Sequence, residues 1–136
     1  MGGDDSTART LLAAGEWDPD GADAVTPHPD DLFPALADAT RRHVTWYLLD
    51  ESPATVHELA DVVAGWRLGD RTAVDPDEHE NVVATLHHTH LPVLDDADIV
   101  DYHSEQFTVE ATALAPVVED VVQFANAYDA AVPDQR

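Results

Sequence analysis

Three polar residues with helical spacing are the strongest candidates for chemistry in this chain. Asn81, Thr85 and His88 follow one another at intervals of four and three residues, so an α-helix would place them on one face. An Asn amide can bond an adenine edge, a Thr hydroxyl can bond a base, and a protonated His can contact a phosphate. The pattern is typical of a helix that contacts DNA bases, and equally of a solvated polar helix face.

Positive charge near this helix is sparse. Phosphate binding normally depends on Lys and Arg, and the chain has six basic residues, all of them Arg. Arg67 and Arg71 flank the turn before the helix, where a contact with the DNA backbone is geometrically plausible. The helix itself starts with Asp75-Pro76-Asp77-Glu78, whose carboxylates would repel phosphates. The sequence therefore supports DNA binding through Arg67, Arg71, Asn81, Thr85 and His88, with protein binding through the acidic surface as the alternative.

Histidines raise the question of a metal site. His87 and His90 are three residues apart and His88 is adjacent, and two imidazoles at this spacing can chelate zinc or nickel. A stable site needs three or four ligands, and Asp95 or His43 could complete one only if the fold brings them close. We predict no metal and no cofactor, and we expect His90 to be a half-buried residue that bonds a backbone group.

Residues for catalysis cannot be identified. The chain lacks Cys, its few Ser residues fall in predicted arm or turn segments, and no glycine-rich loop follows a predicted strand. Acidic residues are so numerous that no pair can be assigned as general acid and general base. We predict that the protein is not an enzyme.

Two predicted helices position the candidate residues. Thr55 followed by Glu58 is a capping-box pattern, and it predicts a helix that ends before Gly69. Asp75 as N-cap and Pro76 at the first helical position predict the next helix. Pro92 must disturb that helix, because proline lacks an amide proton and crowds the carbonyl of His88. The apolar stripe of this second helix consists of His79, Val82, Val83, Leu86 and His90.

A short hairpin is predicted after these helices. Residues 99–102 and 107–109 have strand-like patterns and face each other across His103-Ser104-Glu105. Two further helices precede residue 55, the first after Asp30-Asp31 and the second from Arg41-Arg42 to Ser52-Pro53. The predicted fold is mainly α with a small two-stranded β-hairpin. Helix, turn, helix and hairpin in this order indicate a winged helix-turn-helix, which usually presents its second helix to the DNA major groove.

The two termini lie outside this predicted domain, which spans residues 28–110. Residues 1–27 are rich in Asp, Gly, Ala and Pro and are predicted to form a mobile acidic arm. Residues 111–136 are predicted to form a helix with two apolar stripes, a breadth that suggests contact with a partner helix in a homodimer. The alternative is a helix buried in its own core. The predicted dimer interface consists of Leu114, Val117, Val121, Phe124 and Tyr128.

The composition is strongly acidic. There are 28 Asp and Glu residues, and the formal net charge is −22. Such a charge opposes a compact fold by self-repulsion, but in concentrated salt it does not, because the Debye length is only about 3 Å at 1 M. We interpret the composition as that of a halophilic archaeal protein. An acidic nucleic-acid mimic or a disordered tail is the competing interpretation, and 44% hydrophobic residues with clear periodicity argue against it.

Location and membrane contact can also be judged from the sequence. No apolar run is long enough to span a bilayer, and the N-terminus lacks the basic and apolar regions of a signal peptide. We therefore expect a cytoplasmic protein with no membrane partner.

Several motifs resemble a known family. They are Leu36-Ala37-Asp38-Ala39-Thr40-Arg41-Arg42-His43-Val44, Glu58-Leu59-Ala60, Trp66, and Thr89-His90-Leu91-Pro92-Val93-Leu94-Asp95-Asp96-Ala97. Over roughly residues 30 to 110 the chain resembles the uncharacterised winged helix-turn-helix domain family of halophilic archaea, which is ArsR-like in fold. The resemblance implies this fold and a DNA-binding role in transcription regulation, and it implies neither a ligand nor a catalytic activity. Members often place Arg or Lys near the start of the recognition helix, and this chain has acidic residues there.

Overall fold

A computed structural model describes residues 24–68 and 76–132 of the chain. These residues fall into two compact units. The larger unit spans residues 27–112, and the smaller one joins residues 24–26 to residues 113–132. Most of the predicted arm, together with Arg71 and Asp75, lies outside the described residues.

The chain is mainly helical, as predicted. The larger unit contains, in order, α1 (Pro29–Ala35), α2 (Ala39–Glu51), β1 (Ala54–Thr55), α3 (Val56–Leu68), α4 (Pro76–Thr85), α5 (Leu91–Asp96), β2 (Val100–His103) and β3 (Thr108–Ala111). The smaller unit contains α6 (Pro116–Ala131).

The predicted hairpin is present as β2 and β3. A third strand, which the sequence did not predict, joins it to give an antiparallel sheet with the order β1-β3-β2. Val100 pairs with Ala111 and Tyr102 with Val109 in the hairpin. The extra strand, β1, pairs with β3; at two residues it is too short to show the alternation that marks a strand in sequence. Phe107 was assigned to the second strand, but it precedes β3 with a positive φ of 55° and closes the loop.

Helix α3 begins as the capping pattern predicts. The hydroxyl of Thr55 accepts a hydrogen bond from the amide of Glu58 at 3.0 Å. The Glu58 carboxylate accepts a hydrogen bond from the Tyr47 hydroxyl at 2.6 Å, which ties α2 to α3. This bond to Glu58, with a smaller contribution from burial, raises the pKa of Tyr47 to about 12.

Pro92 alters the helix at the predicted place. A π-helical turn, Leu86–His90, separates α4 from α5, and the amide of Leu91 donates to the carbonyl of Leu86, five residues earlier. Proline cannot donate to the carbonyl four residues before it and crowds that carbonyl. A wider turn relieves the crowding, and such π-turns are frequent at functional sites.

The corner between α5 and β2 is fixed by two backbone hydrogen bonds. The amide of Asp98 donates to the Asp95 carbonyl at 2.9 Å, and the amide of Ile99 donates to the Leu94 carbonyl at 3.0 Å. This is a Schellman motif, and Asp98 has the positive φ of 64° that it requires. The Asp95 carboxylate also accepts from the amide of Tyr102 at 3.0 Å, which anchors β2 to the end of α5.

The core of the larger unit fixes which side of α4 faces outward. Val82 and Leu86 are buried, whereas Asn81, Thr85 and His88 are exposed. Burying a side chain such as Leu86 stabilises a fold by about 1.5–3 kcal/mol, so the helix cannot rotate without a large cost. The largest fully buried side chains in this unit are Leu48, Leu59, Leu86, Leu91, Leu94 and Ile99.

Candidate nucleic-acid interface

The outward face of α4 has an acidic half and an uncharged half. Asp77 and Glu80 are exposed in its first turns, where negative charge suits the positive end of the helix dipole. Asn81, Thr85 and His88 follow, all exposed. The Thr85 hydroxyl donates to the backbone carbonyl of Asn81 at 2.9 Å, so its oxygen remains an acceptor for an outside donor. The structure thus leaves three of the five predicted contact residues exposed: Asn81 and Thr85 in α4, and His88 in the π-helical turn that follows it.

Four of the six arginines fall within residues 41–71 and form two pairs in the sequence. Arg67 lies in the last turn of α3, and its side chain falls outside the described part of the structure, as does the whole of Arg71. Arg41 and Arg42 hold the end of α1: Nε of Arg41 donates to the Ala35 carbonyl at 2.7 Å, and Nη1 of Arg42 donates to the Leu36 carbonyl at 2.9 Å. Both therefore have a structural role at the α1–α2 corner.

His90 belongs to the same corner. It is 7% exposed, and its Nδ1 lies 3.1 Å from Nη1 of Arg41 and 4.0 Å from the Asp38 carboxylate. The sequence predicted a half-buried residue; His90 is instead buried, and one of its contacts is with the side chain of Arg41. Because a guanidinium only donates, Nδ1 of His90 accepts this hydrogen bond.

Asp38 caps α2 beside His90. Its carboxylate accepts from the amides of Thr40 at 2.7 Å and Arg41 at 3.2 Å. Burial alone would raise the pKa of Asp38, but these amide hydrogen bonds and the nearby positive charge of Arg41 outweigh it, so the pKa lies below its ordinary value. The carboxylate is therefore stabilised in its charged form at this corner.

The metal ligands considered from sequence have other partners. His87 contacts Tyr102, His90 contacts Arg41, and Asp95 accepts from the backbone of Tyr102. Within residues 24–68 and 76–132, no three His, Asp or Glu side chains are arranged to hold a metal ion.

A row of aromatic rings connects α3, the hairpin and α4, and sequence reasoning missed it. We call it the imidazole row. His79 stacks on His57 with ring centroids 5.8 Å apart. Phe107 lies 5.9 Å from His57 and 5.1 Å from His87. His88 follows 4.6 Å from His87. The feature of the sequence that could have indicated the row is the concentration of His between residues 57 and 103. It was not enough, because the rings that touch belong to elements distant in sequence. The row consists of His57, His79, His87, His88, Phe107 and Tyr102.

A hydrogen bond and an ion-pair contact orient rings in this row. Nδ1 of His87 lies 2.6 Å from the Tyr102 hydroxyl, and Nδ1 of His79 lies 3.1 Å from the Asp61 carboxylate. Burial raises the pKa of Tyr102, so its hydroxyl keeps its proton at neutral pH. His57 and His88 are exposed, and His79 and His87 are half-buried. The row can therefore present imidazole groups to a ligand in solution.

The hairpin loop adds polar groups. Residues 104–106 are exposed, and none of them is basic. His103, at the end of β2, lies 3.6 Å from the Glu110 carboxylate on β3. A positive charge on His103 would thus be partly neutralised by its neighbour.

A surface groove of about 330 Å³ lies among α1, α2 and α5. Its carboxylates would suit a cation, but acidic residues are spread over this whole chain, so they do not specify a ligand. The guanidinium of Arg41 in its wall is already bonded to Ala35. The lining residues are Asp30, Asp31, Pro34, Ala35, Arg41, Val93, Asp96 and Ala97.

The smaller unit contains the predicted dimer residues. Leu114 precedes α6, is 7% exposed, and forms a parallel bridge with Val25. Val117 and Val121 are half-buried. Phe124 and Tyr128 are 69% and 59% exposed and stack on each other with centroids 6.1 Å apart. The apolar stripe therefore becomes accessible toward the end of α6.

Among the helices of the described residues, none is long and apolar enough to cross a membrane.

Comparison with known proteins gives one match. No curated protein and no solved structure matches the chain. A family profile described as a domain of unknown function, DUF7344, matches residues 33–110. These residues begin in α1 and end in β3, and so contain α4, the imidazole row and the Asp38–Arg41–His90 corner. Because the match covers more than half of the sequence, the chain belongs to the DUF7344 family.

Proposed function

We propose that the protein is a DNA-binding transcription regulator of a halophilic archaeon, that it acts as a homodimer, and that residues 27–112 form its winged helix-turn-helix. The order of α3, α4 and a hairpin supports this fold, and so does the pairing of β1 with the returning strand of the hairpin. In this fold α4 is the helix that enters the major groove.

One observation carries the proposal. The uncharged half of α4 exposes Asn81 and Thr85 one helical turn apart, while Val82 and Leu86 hold the opposite side in the core. Asn is suited to adenine, and Thr to a base or a thymine methyl. Arg67 and Arg71 would contact phosphates on either side of the α3–α4 turn.

Fluorescence anisotropy on labelled genomic fragments in molar KCl tests this function. We expect some fragments to bind more tightly than random duplex of equal length. Equal and weak binding of every fragment would contradict sequence-specific recognition.

A second function is supported by the acidic half of α4. Asp77 and Glu80 are exposed beside the uncharged strip, and they suit a basic protein surface better than DNA. Replacing Glu78 and Glu80 with Gln separates the two functions. The change should tighten DNA binding if α4 enters the groove, because two repulsive charges are removed, and it should weaken a protein complex that uses the acidic face.

The halophilic origin is proposed from the net charge of −22. At low salt, repulsion among Asp and Glu is unscreened, so the melting temperature should rise from 0.1 M to 2 M KCl. An unchanged melting curve over this range would contradict the halophilic origin.

A further inference from the structure

The guanidinium groups that the structure describes are engaged away from α4 and the hairpin. Arg41 and Arg42 bond the carbonyls of Ala35 and Leu36, and the whole chain has no Lys. Histidines are concentrated at the junction of α3, α4 and the hairpin instead. They are the side chains whose ordinary titration falls between pH 5 and 8.

We propose that the imidazole row binds phosphate groups of a nucleic-acid backbone when its histidines are protonated. The identification of the ligand as DNA rests on the proposed DNA-binding function. The binding of phosphate groups by the row does not depend on that function. The row would take the part that Lys and Arg have in most DNA-binding proteins, and its affinity would rise as pH falls.

The contact between His87 and Tyr102 makes the Tyr102 hydroxyl a donor to a ligand only when His87 is protonated. An imidazolium has a proton on both nitrogens, so protonated His87 donates from Nδ1 to the Tyr102 hydroxyl oxygen 2.6 Å away. The hydroxyl proton of Tyr102 is then available to a phosphate oxygen. When His87 is neutral with Nδ1 unprotonated, the same hydroxyl donates to His87 instead.

His79 can gain charge without losing its partner. The Asp61 carboxylate lies 3.1 Å from Nδ1, so it can form an ion pair with the protonated ring and leave Nε2 to face a ligand. His57 stacks on His79 with an angle of 13° between the rings. Two positive rings at this separation repel each other, and a phosphate bridging them would relieve the repulsion.

Other ionisable groups near the row limit the charge it gains. On α3, Glu58 follows His57 and accepts from Tyr47, and Asp61 accompanies His79. On α4, Glu78 and Glu80 flank His79 in sequence. On the hairpin, Glu110 lies beside His103. The His87–His88 pair has no carboxylate neighbour adjacent in sequence, so we expect it to contribute most of the phosphate affinity.

The test measures binding of a random-sequence DNA duplex by anisotropy at about pH 6 and about pH 8, on either side of the ordinary imidazole pKa. The KCl concentration is the lowest that preserves the native circular dichroism spectrum. We expect binding roughly tenfold tighter at the lower pH, as added cationic contacts imply. The double variant His57→Gln/His87→Gln should lose this difference, whereas His28→Asn should keep it; His28 caps α1 outside the row, and Asn can serve as the cap.

A second measurement keeps the inference testable if the double variant unfolds. Inorganic polyphosphate is added to the wild-type protein at about pH 6, and the imidazole proton resonances are followed by NMR. Shifts at His57, His79, His87 and His88 without a shift at His28 support the row as the site. Equal shifts at all histidines, or none, overturn it. A preference for particular DNA sequences that persists at about pH 8 tests the proposed DNA-binding function by itself. The failure of that function can therefore be distinguished from the failure of the imidazole row as a phosphate site.

Discussion

The side chains of His87 and Tyr102 meet with Nδ1 and Oη 2.6 Å apart, and this contact joins the π-helical turn after α4 to strand β2. It links the helix proposed to enter the groove to the hairpin proposed as the wing. A hydrogen bond here fixes the position of the hairpin relative to α4.

Removing the Tyr102 hydroxyl should loosen this link. Tyr102→Phe keeps the ring and deletes the hydrogen bond, which is half-buried, so we expect a loss of about 1 kcal/mol in the free energy of unfolding. Chemical denaturation at pH 7 measures it. His88→Gln, an exposed neighbouring change, is the control and should leave stability within about 0.5 kcal/mol. Equal stability of Tyr102→Phe and the wild type would show that the contact contributes nothing.

Arg41 should be far more important for stability than an ordinary surface arginine. It bonds the Ala35 carbonyl and the Nδ1 of His90, so Arg41→Ala leaves acceptors on two buried residues without this donor and should cost about 2 kcal/mol or more. Arg41→Lys keeps the charge but not the forked geometry and should recover less than half of the loss. Thermal melts of the two variants measure this. Full recovery by Lys would mean that charge alone matters at this corner.

Asp38 gives the protein a defined dependence on acid. Its pKa in the folded protein is below its ordinary value of 3.8, so its carboxylate stabilises the fold above that pH, and the contribution is lost as pH falls through the lowered pKa. Asp38→Asn keeps a capping oxygen but cannot titrate. The stability difference between wild type and variant should therefore be largest at neutral pH and shrink below about pH 4. A difference independent of pH in urea titrations would contradict this.

The exposed end of α6 should form the contact between two copies of the chain. Phe124 and Tyr128 are exposed and stacked, so Phe124→Asp would place an unpaired charge in an apolar interface, at a cost of several kcal/mol. We expect light scattering to show a dimer for wild type and a monomer for the variant, with unchanged helical content. Gln123→Asp, on the adjacent exposed position, is the matched control. A monomeric wild type in molar KCl would refute the dimer.

The sequence predicted features that depend on local chemistry. The Thr55 cap, the start of α4 at Pro76 and the disturbance at Pro92 each follow from one or two residues and their backbone neighbours. It did not predict β1, because two residues show no periodicity and the strand exists only through its pairing with β3. The type of turn before Pro92 was also beyond a local argument, since several distortions relieve the same crowding.

The candidate site was predicted only in part, for the same physical reason. Helical spacing was enough to predict Asn81 and Thr85 one turn apart on the exposed side of α4, whereas His88 lies beyond α4 in the π-helical turn. The imidazole row depends on contacts between His57, Phe107 and His87, which lie on three elements far apart in sequence, and spacing alone contains no information about them. The roles of Arg41 and Arg42 at the α1–α2 corner were missed because a guanidinium on a backbone carbonyl leaves no sequence pattern.

The measurement that tests the central proposal most directly compares Asn81→Ala with wild type for a selected genomic site and for random duplex, in molar KCl at about pH 8. If Asn81 bonds a base, the variant should lose about 1–3 kcal/mol on the selected site and nothing on random DNA. Arg71→Ala should weaken both duplexes about equally, as expected for a phosphate contact. If Asn81→Ala and the Glu78→Gln/Glu80→Gln variant both bind the selected site as the wild type does, α4 does not contact DNA, and the protein-binding function becomes the better account.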